Sequence, residues 1–285
     1  MRSLTGHPEL CAINTATLGF RTPIGEAIDA VARAGFGGIA PWRREVEGGN
    51  VIAIAKQIRD AGLKVTGYCR SAYLPATTRE EFLANIEDNK RAIADAATLG
   101  AFSFFLVVGG LPKGSRDISA ARAQVGEGIA QLVEHASAHG VRLALEPLHP
   151  VYAADRSCVT SLAEALDICE RIEPGAGASP ILGVGIDVYH VWWDHQLAAQ
   201  VNRAGAANRI FGFHVNDWLN PTRDILNDRG MMGDGVIDIA SIRSRVEDAG
   251  YSGLVEVEIF SNLDWWKRPM DETLSISKER FGSAC

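Results

Sequence analysis

The stretch HGVRLALEP, residues 139–147, reads as the end of a helix, a glycine, and a short buried strand that stops on a carboxylate. Gly140 stands where a helix C-cap belongs, since glycine takes the left-handed conformation without strain. Val141, Leu143 and Leu145 then alternate with Arg142 and Ala144 at the period of a strand. The same phrase recurs in AGFGGIAPW from Gly35, AGLKVTGYC from Gly62, LGAFSFFLVV from Gly100 and AGYSGLVEVEIF from Gly250. Each run after the glycine is short and rich in β-branched or aromatic residues, as buried strands are.

Filling the gaps predicts eight strands, near residues 10–15, 38–42, 64–70, 103–109, 141–147, 182–187, 209–215 and 254–260. Amphipathic helices are expected near 24–34, 50–61, 79–99, 119–139, 161–172, 195–205, 238–249 and 271–281. Strand and helix alternate throughout, with no linker or low-complexity tract. That pattern describes a single (β/α)8 TIM barrel spanning 1–285. A doubly wound open sheet would usually show a GxGxxG turn after the first strand, where this chain reads NTATLGFRTP.

Composition narrows the function classes. The 285 residues carry a formal net charge of −7, which argues against a nucleic-acid partner. No apolar run approaches the roughly 20 residues of a membrane span. The N-terminus, MRSLTGHPEL, shows no apolar signal-peptide core. Five cysteines without CxxC spacing fit reduced thiols, so a cytoplasmic location is expected. A small-molecule substrate is the expected partner, and association into a homo-oligomer is compatible with the sequence.

In such a barrel the chemistry lies at the C-terminal ends of the strands. The fifth strand ends on Glu146, the sixth carries Asp187 with His190 three residues on, the seventh carries His214, and the eighth carries Glu256 and Glu258. The strand period sends Leu143 and Leu145 toward the helices and Glu146 inward; likewise Val255, Val257 and Ile259 go outward while Glu256 and Glu258 go inward. Glu258 lies nearer the mouth, which leaves Glu256 one layer below. Carboxylates and an imidazole gathered there would repel and desolvate one another, and a divalent cation resolves the conflict. The expected ligands are Glu146, Asp187, His214 and Glu258. Three carboxylates and one imidazole suit Mn²⁺ or Mg²⁺; Co²⁺ or Zn²⁺ also tolerate the set.

The segments ALEP around Glu146, D-x-x-H at Asp187 and His190, FHVND around His214, and GDGVID resemble the xylose isomerase-like TIM barrel superfamily. That group includes sugar and sugar-phosphate isomerases and epimerases, inosose dehydratase and endonuclease IV. The resemblance covers nearly the whole chain. It implies that the metal ligands of ketose 3-epimerases correspond to Glu146, Asp187, His214 and Glu258, and their substrate-binding histidine and arginine to His190 and Arg229. The extra zinc-binding histidines of endonuclease IV are missing: Asp228 is followed by Arg229 and Gly230. A trinuclear phosphodiesterase site is therefore incomplete. The loop DWLNPTRDILNDRGMM is longer than in the ketose epimerases.

The implied reaction is proton transfer alpha to a carbonyl through an ene-diolate, with Glu146 and Glu258 as acid and base on opposite faces. The expectation is a metal-dependent isomerase or epimerase acting on a sugar, sugar phosphate or keto-polyol. A lyase or dehydratase acting on a keto-sugar or inosose is the alternative. Trp42, Trp192, Trp193 and Trp218 fall at or just after strand ends, and Trp42 is the expected sugar-packing face. Asp217 is a candidate partner for the second nitrogen of His214. Arg43 and Arg70 are candidates for an anionic substrate group.

Overall fold

The computed structural model describes residues 2–285 apart from 176 and 178. Its strands are β1 (Cys11–Asn14), β2 (Gly38–Ala40), β3 (Lys64–Val65), β4 (Ser103–Leu106), β5 (Arg142–Leu145), β6 (Leu182–Asp187), β7 (Ile210–Val215), β8 (Asp217–Trp218), β9 (Arg229–Gly230) and β10 (Val255–Val257). Eight of them form one parallel sheet in the order β3-β2-β1-β10-β7-β6-β5-β4. The ring closes between β3 and β4, where Tyr68 N donates to Ser103 O at 2.9 Å and Phe105 N to Tyr68 O at 3.1 Å. The molecule is a (β/α)8 barrel. β8 and β9 form a separate antiparallel hairpin over the mouth.

The helices are α1 (Ile24–Arg33), α2 (Arg43–Val46), α3 (Val51–Asp60), α4 (Arg79–Leu99), α5 (Ile118–Ala138), α6 (Leu162–Ile172), α7 (Val188–Val191), α8 (Leu197–Ala206), α9 (Ile239–Asp248) and α10 (Met270–Ala284). Local chemistry sets their starts. Thr78, Asp117, Ser161 and Asp238 each accept a backbone N–H from the first turn of the helix that follows. None of the helices among the described residues is long and apolar enough to cross a membrane.

Several elements depart from the sequence expectation. The third strand, expected over 64–70, is regular only at Lys64–Val65; beyond it the chain keeps to its neighbours through single bridges at Tyr68 and Cys69. The eighth barrel strand ends at Val257, because Ile259 N turns to Thr17 Oγ1 at 3.0 Å instead of a neighbouring strand. The short helices α2 and α7 and the β8–β9 hairpin were not expected; all are too brief for periodicity to reveal.

The strand period divides the barrel into two layers. Leu143 and Leu145 join the core under the helices, whereas Ala144 faces inward with Cys69, Phe105 and Phe211. The Phe105 ring fills the barrel axis. Gly67, Gly185 and Gly212 make room for it: a Cβ on these residues would lie 2.6, 2.5 and 2.4 Å from the ring. His214 rests on the same ring, centroids 4.5 Å apart. Gly212→Ala is therefore expected to cost about 1–3 kcal/mol by overpacking. Chemical denaturation checks this, and an unchanged midpoint would show that Phe105 has room to move.

Candidate metal centre

Four polar side chains meet above Phe105. The sheet register sets Asp187 beside His214 and His214 beside Glu256. Glu146 and Glu258 each project from the residue just past a strand end, β5 and β10. Donor atoms of Glu146, Asp187, His214 and Glu258 all lie within 4.8 Å of one another, and all four residues are buried. His214 Nδ1 is 3.3 Å from Glu146 Oε1 and 3.5 Å from Glu258 Oε2.

Asp187 does two jobs. Its Oδ1 accepts from Tyr189 N and from Asn216 Nδ2, both at 2.9 Å. The first bond caps α7, the turn that carries His190 into the pocket.

Buried carboxylates need compensating charge. Arg229 supplies part of it: one guanidinium nitrogen lies 2.8 Å from Asp187 Oδ2 and 3.4 Å from Glu258 Oε2. Glu146 has no such partner. Its Oε1 and His214 Nδ1 are close but not in hydrogen-bonding geometry, and both are buried without another partner. Burial pushes Glu146 up to about 7, with Glu258 adding to the shift and His214 opposing it. Burial would raise Glu258 as well, but His214 and Arg229 outweigh it and hold that carboxyl below its ordinary range. For His214 burial is outweighed by Glu256, Glu146 and Glu258, so the imidazole sits well above its usual value. Three carboxylates around a single imidazole leave a surplus of negative charge, which a divalent cation would relieve in place of the imidazole's extra proton. The donor set fits one, with oxygen-rich character and no thiolate.

Glu256 lies on the other side of the imidazole, its Oε1 3.3 Å from His214 Nε2. Asn14 Nδ2 at 2.8 Å and Thr66 Oγ1 at 2.6 Å donate to its two oxygens. With an ion bound at Nδ1, Glu256 would hold the remaining ring proton on Nε2. Glu256→Gln should lower divalent-metal affinity by about 10–100-fold. Titration with Mn²⁺ measures the change, and an unaltered affinity would remove Glu256 from this role.

The remaining candidates are placed as follows. Asp217 does not reach His214; its carboxylate accepts from the backbone N–H groups of Trp218, Gly233 and Ile237 and so pins the turn after β9. A carboxylate surrounded by three backbone donors has its geometry already fixed. Trp42 lines the pocket, its Nε1 donating to Asn14 Oδ1 at 2.7 Å, edge-on to Phe260 at 5.4 Å. Trp192, Trp193 and Trp218 do not line it. Trp218 instead lies 4.5 Å from the Tyr189 ring.

His190 and Arg229 face each other in the pocket wall, Arg229 Nη2 donating toward His190 Nε2 at 3.2 Å. His149 N donates to His190 Nδ1 at 3.2 Å, which makes Nδ1 an acceptor. Burial, with Arg229 adding, lowers His190 to about 3, so the ring is neutral. Both ring nitrogens thus face a donor, the His149 N–H and the Arg229 guanidinium, and a neutral ring can accept at only one of them.

Phe105, Tyr152, Arg156 and Phe260 also line the pocket and were not singled out from the sequence. Phe260 was within reach, since it continues the inward alternation two residues past Glu258. Arg156 sits in an irregular loop where no period could find it. Tyr152 and Tyr189 both donate to Ile225 O at 2.8 Å, which holds the long loop after β8 down so that Leu226 closes one side.

A family model described as xylose isomerase-like TIM barrel matches residues 28–277. An inosose isomerase of Bacillus licheniformis is 26% identical over 168 residues, covering 57% of this chain and 54% of that protein. The chain thus spans about half the length of the curated relatives it matches. A crystal structure of protein SMc04130 from Sinorhizobium meliloti 1021 matches with a TM-score of 0.94 and 50% identity, covering 98% of this chain and 99% of that one. A structure of the IOLI protein with a zinc atom bound matches with a TM-score of 0.78 at 18% identity, covering 96% of this chain and 98% of that one, a likeness of fold. The chain belongs to the xylose isomerase-like TIM barrel family.

Proposed function

We propose that this protein is a divalent-metal-dependent isomerase or epimerase acting on a sugar or keto-polyol. The observation that carries the reading is the placement of Glu146 and Glu258 about His214 Nδ1, beside a pocket that both glutamates line. An ion held by Glu146, Asp187, His214 and Glu258 would polarise a substrate carbonyl. The glutamates then carry the proton chemistry, taking a proton alpha to that carbonyl on one face and returning one on the other. Glu146 Oε1, without a hydrogen-bond partner, has a free site for this. His190 and Arg229, adjacent in the pocket wall, would hydrogen-bond a substrate oxygen. Trp42 and Phe260 offer apolar walls to the carbon skeleton. The inosose isomerase relatives support a keto-polyol or sugar substrate. The oxygen-rich set favours Mn²⁺ or Mg²⁺.

The test is NMR of candidate ketoses and inososes in deuterated water with the metal-loaded protein. Deuterium entering at the alpha carbon of an isomerised or epimerised product supports the reading. A dehydrated product would make the protein a lyase, and no exchange with any member of the panel would reject it. His190→Ala should keep one metal per chain and raise KM by roughly tenfold or more, as loss of a ground-state hydrogen bond does. Loss of the metal in that variant would show the ligand set to be wrong.

A further inference from the structure

Two arginines in the pocket have no carboxylate. Arg70 follows β3, and Arg156 lies in the loop between β5 and α6; both line the pocket that contains Glu146 and Glu258. Both also line the wider vestibule above it. Arg43 pairs with Asp88 and Glu47, Arg223 with Asp228, and Arg229 with Asp187 and Glu258, while Arg44, which lines the vestibule but not the pocket, stacks over Phe20. Arg70 donates to Ser71 O at 3.2 Å, and its guanidinium stands 4.6 Å over the Tyr73 ring. The Arg156 Nε is buried without any hydrogen-bond partner. Among the described residues no acidic side chain pairs with either guanidinium, in a chain that carries 35 acidic residues against 28 lysines and arginines.

The two cations also disfavour each other. Burial lowers Arg70 below the usual guanidinium range, and the charges of Arg156 and Arg43 push the same way. Like charges held together at a partly desolvated surface are costly unless an anion joins them. The backbone holds both in place: Gly109 N donates to Arg156 O at 3.0 Å, and Ser71 N donates to Phe105 O at 2.9 Å. Guanidinium forks match planar and tetrahedral oxyanions with paired hydrogen bonds.

We propose that Arg70 and Arg156 form an oxyanion subsite, so that the substrate is an acidic keto-sugar bearing a carboxylate or a phosphate monoester. This rests on the proposed isomerase or epimerase reading and narrows its substrate class.

The test compares a neutral ketose, its terminal phosphate and the corresponding keto-uronate on the metal-loaded protein. One anionic form is expected to exceed the neutral ketose in kcat/KM by roughly a hundredfold or more, mainly through KM. The better of the two anionic arms identifies the group. Arg70→Gln and Arg156→Gln should each cut the anionic-to-neutral ratio at least tenfold, with partial recovery in the lysine variants. A neutral ketose used as well as both anionic forms overturns the subsite and leaves the proposed function standing. If no substrate exchanges deuterium, the proposed function fails instead, and binding of inorganic phosphate and malonate decides the subsite. Saturable binding of either that is lost in both glutamine variants supports it; binding that is absent, or unchanged in the variants, overturns it. Where a variant fails to fold, the wild-type substrate panel and anion titration decide by themselves.

Discussion

Glu146→Gln is expected to reduce turnover by about 10²–10⁴ with the barrel intact. The amide has almost the same shape, so the neighbourhood of His214 and Phe105 is kept. What it lacks is a titratable carboxyl and a charged ligand atom. Glu146 Oε1 is buried and unpartnered, 3.3 Å from His214 Nδ1. Glu258→Gln should behave in the same direction. It should also perturb Arg229, which would keep Asp187 but lose its second carboxylate. Exchange of the substrate alpha proton with solvent separates the possibilities. Near-normal exchange in Glu146→Gln would remove it as a proton carrier even if the ion still binds.

His214→Ala is expected to have the largest structural effect together with loss of the ion. The change removes the only nitrogen donor of the four-residue cluster. It also takes the imidazole away from Glu146, Glu256 and Glu258, each of which is buried. Breaking a buried charge cluster on one side costs about 3–5 kcal/mol. The loss of the ring from the Phe105 face adds a cavity to that figure. Metal content by elemental analysis should fall toward zero, and the urea midpoint should drop clearly below that of the parent. A variant that keeps a full equivalent of metal would place the ion elsewhere.

How far the sequence was legible follows from which residues obey a period. The glycine-then-strand phrase at Gly35, Gly62, Gly100, Gly140 and Gly250 revealed the barrel, because each glycine does adopt the left-handed conformation. Alternation in β5 and β10 separated Leu143 from Ala144 and Val257 from Glu256, and with them the inward carboxylates. Glu256 lies below Glu258 and against the far nitrogen of His214, as alternation requires. Where periodicity stops, the reading stopped too. Asp217 was matched to His214 by sequence proximity, but the backbone donors of its own hairpin claim it. Arg229 was expected to meet only substrate; its ion pairs with Asp187 and Glu258 arise from the β8–β9 hairpin, which brings a loop residue back over the mouth. Arg156 and Tyr152 are held by loop hydrogen bonds between distant segments, which leave no trace in local pattern.

In the proposed reaction Glu146, Asp187, His214 and Glu258 hold one ion. Anomalous diffraction from crystals grown with Mn²⁺ tests it most directly. The expected result is one peak per chain within about 2.0–2.6 Å of a carboxylate oxygen from Glu146, Asp187 and Glu258 and of His214 Nδ1. Glu256 should remain on the Nε2 side, outside the coordination sphere. A peak coordinated by Glu256 with Glu258 turned away, or no peak with Arg229 alone neutralising the cluster, would contradict the account.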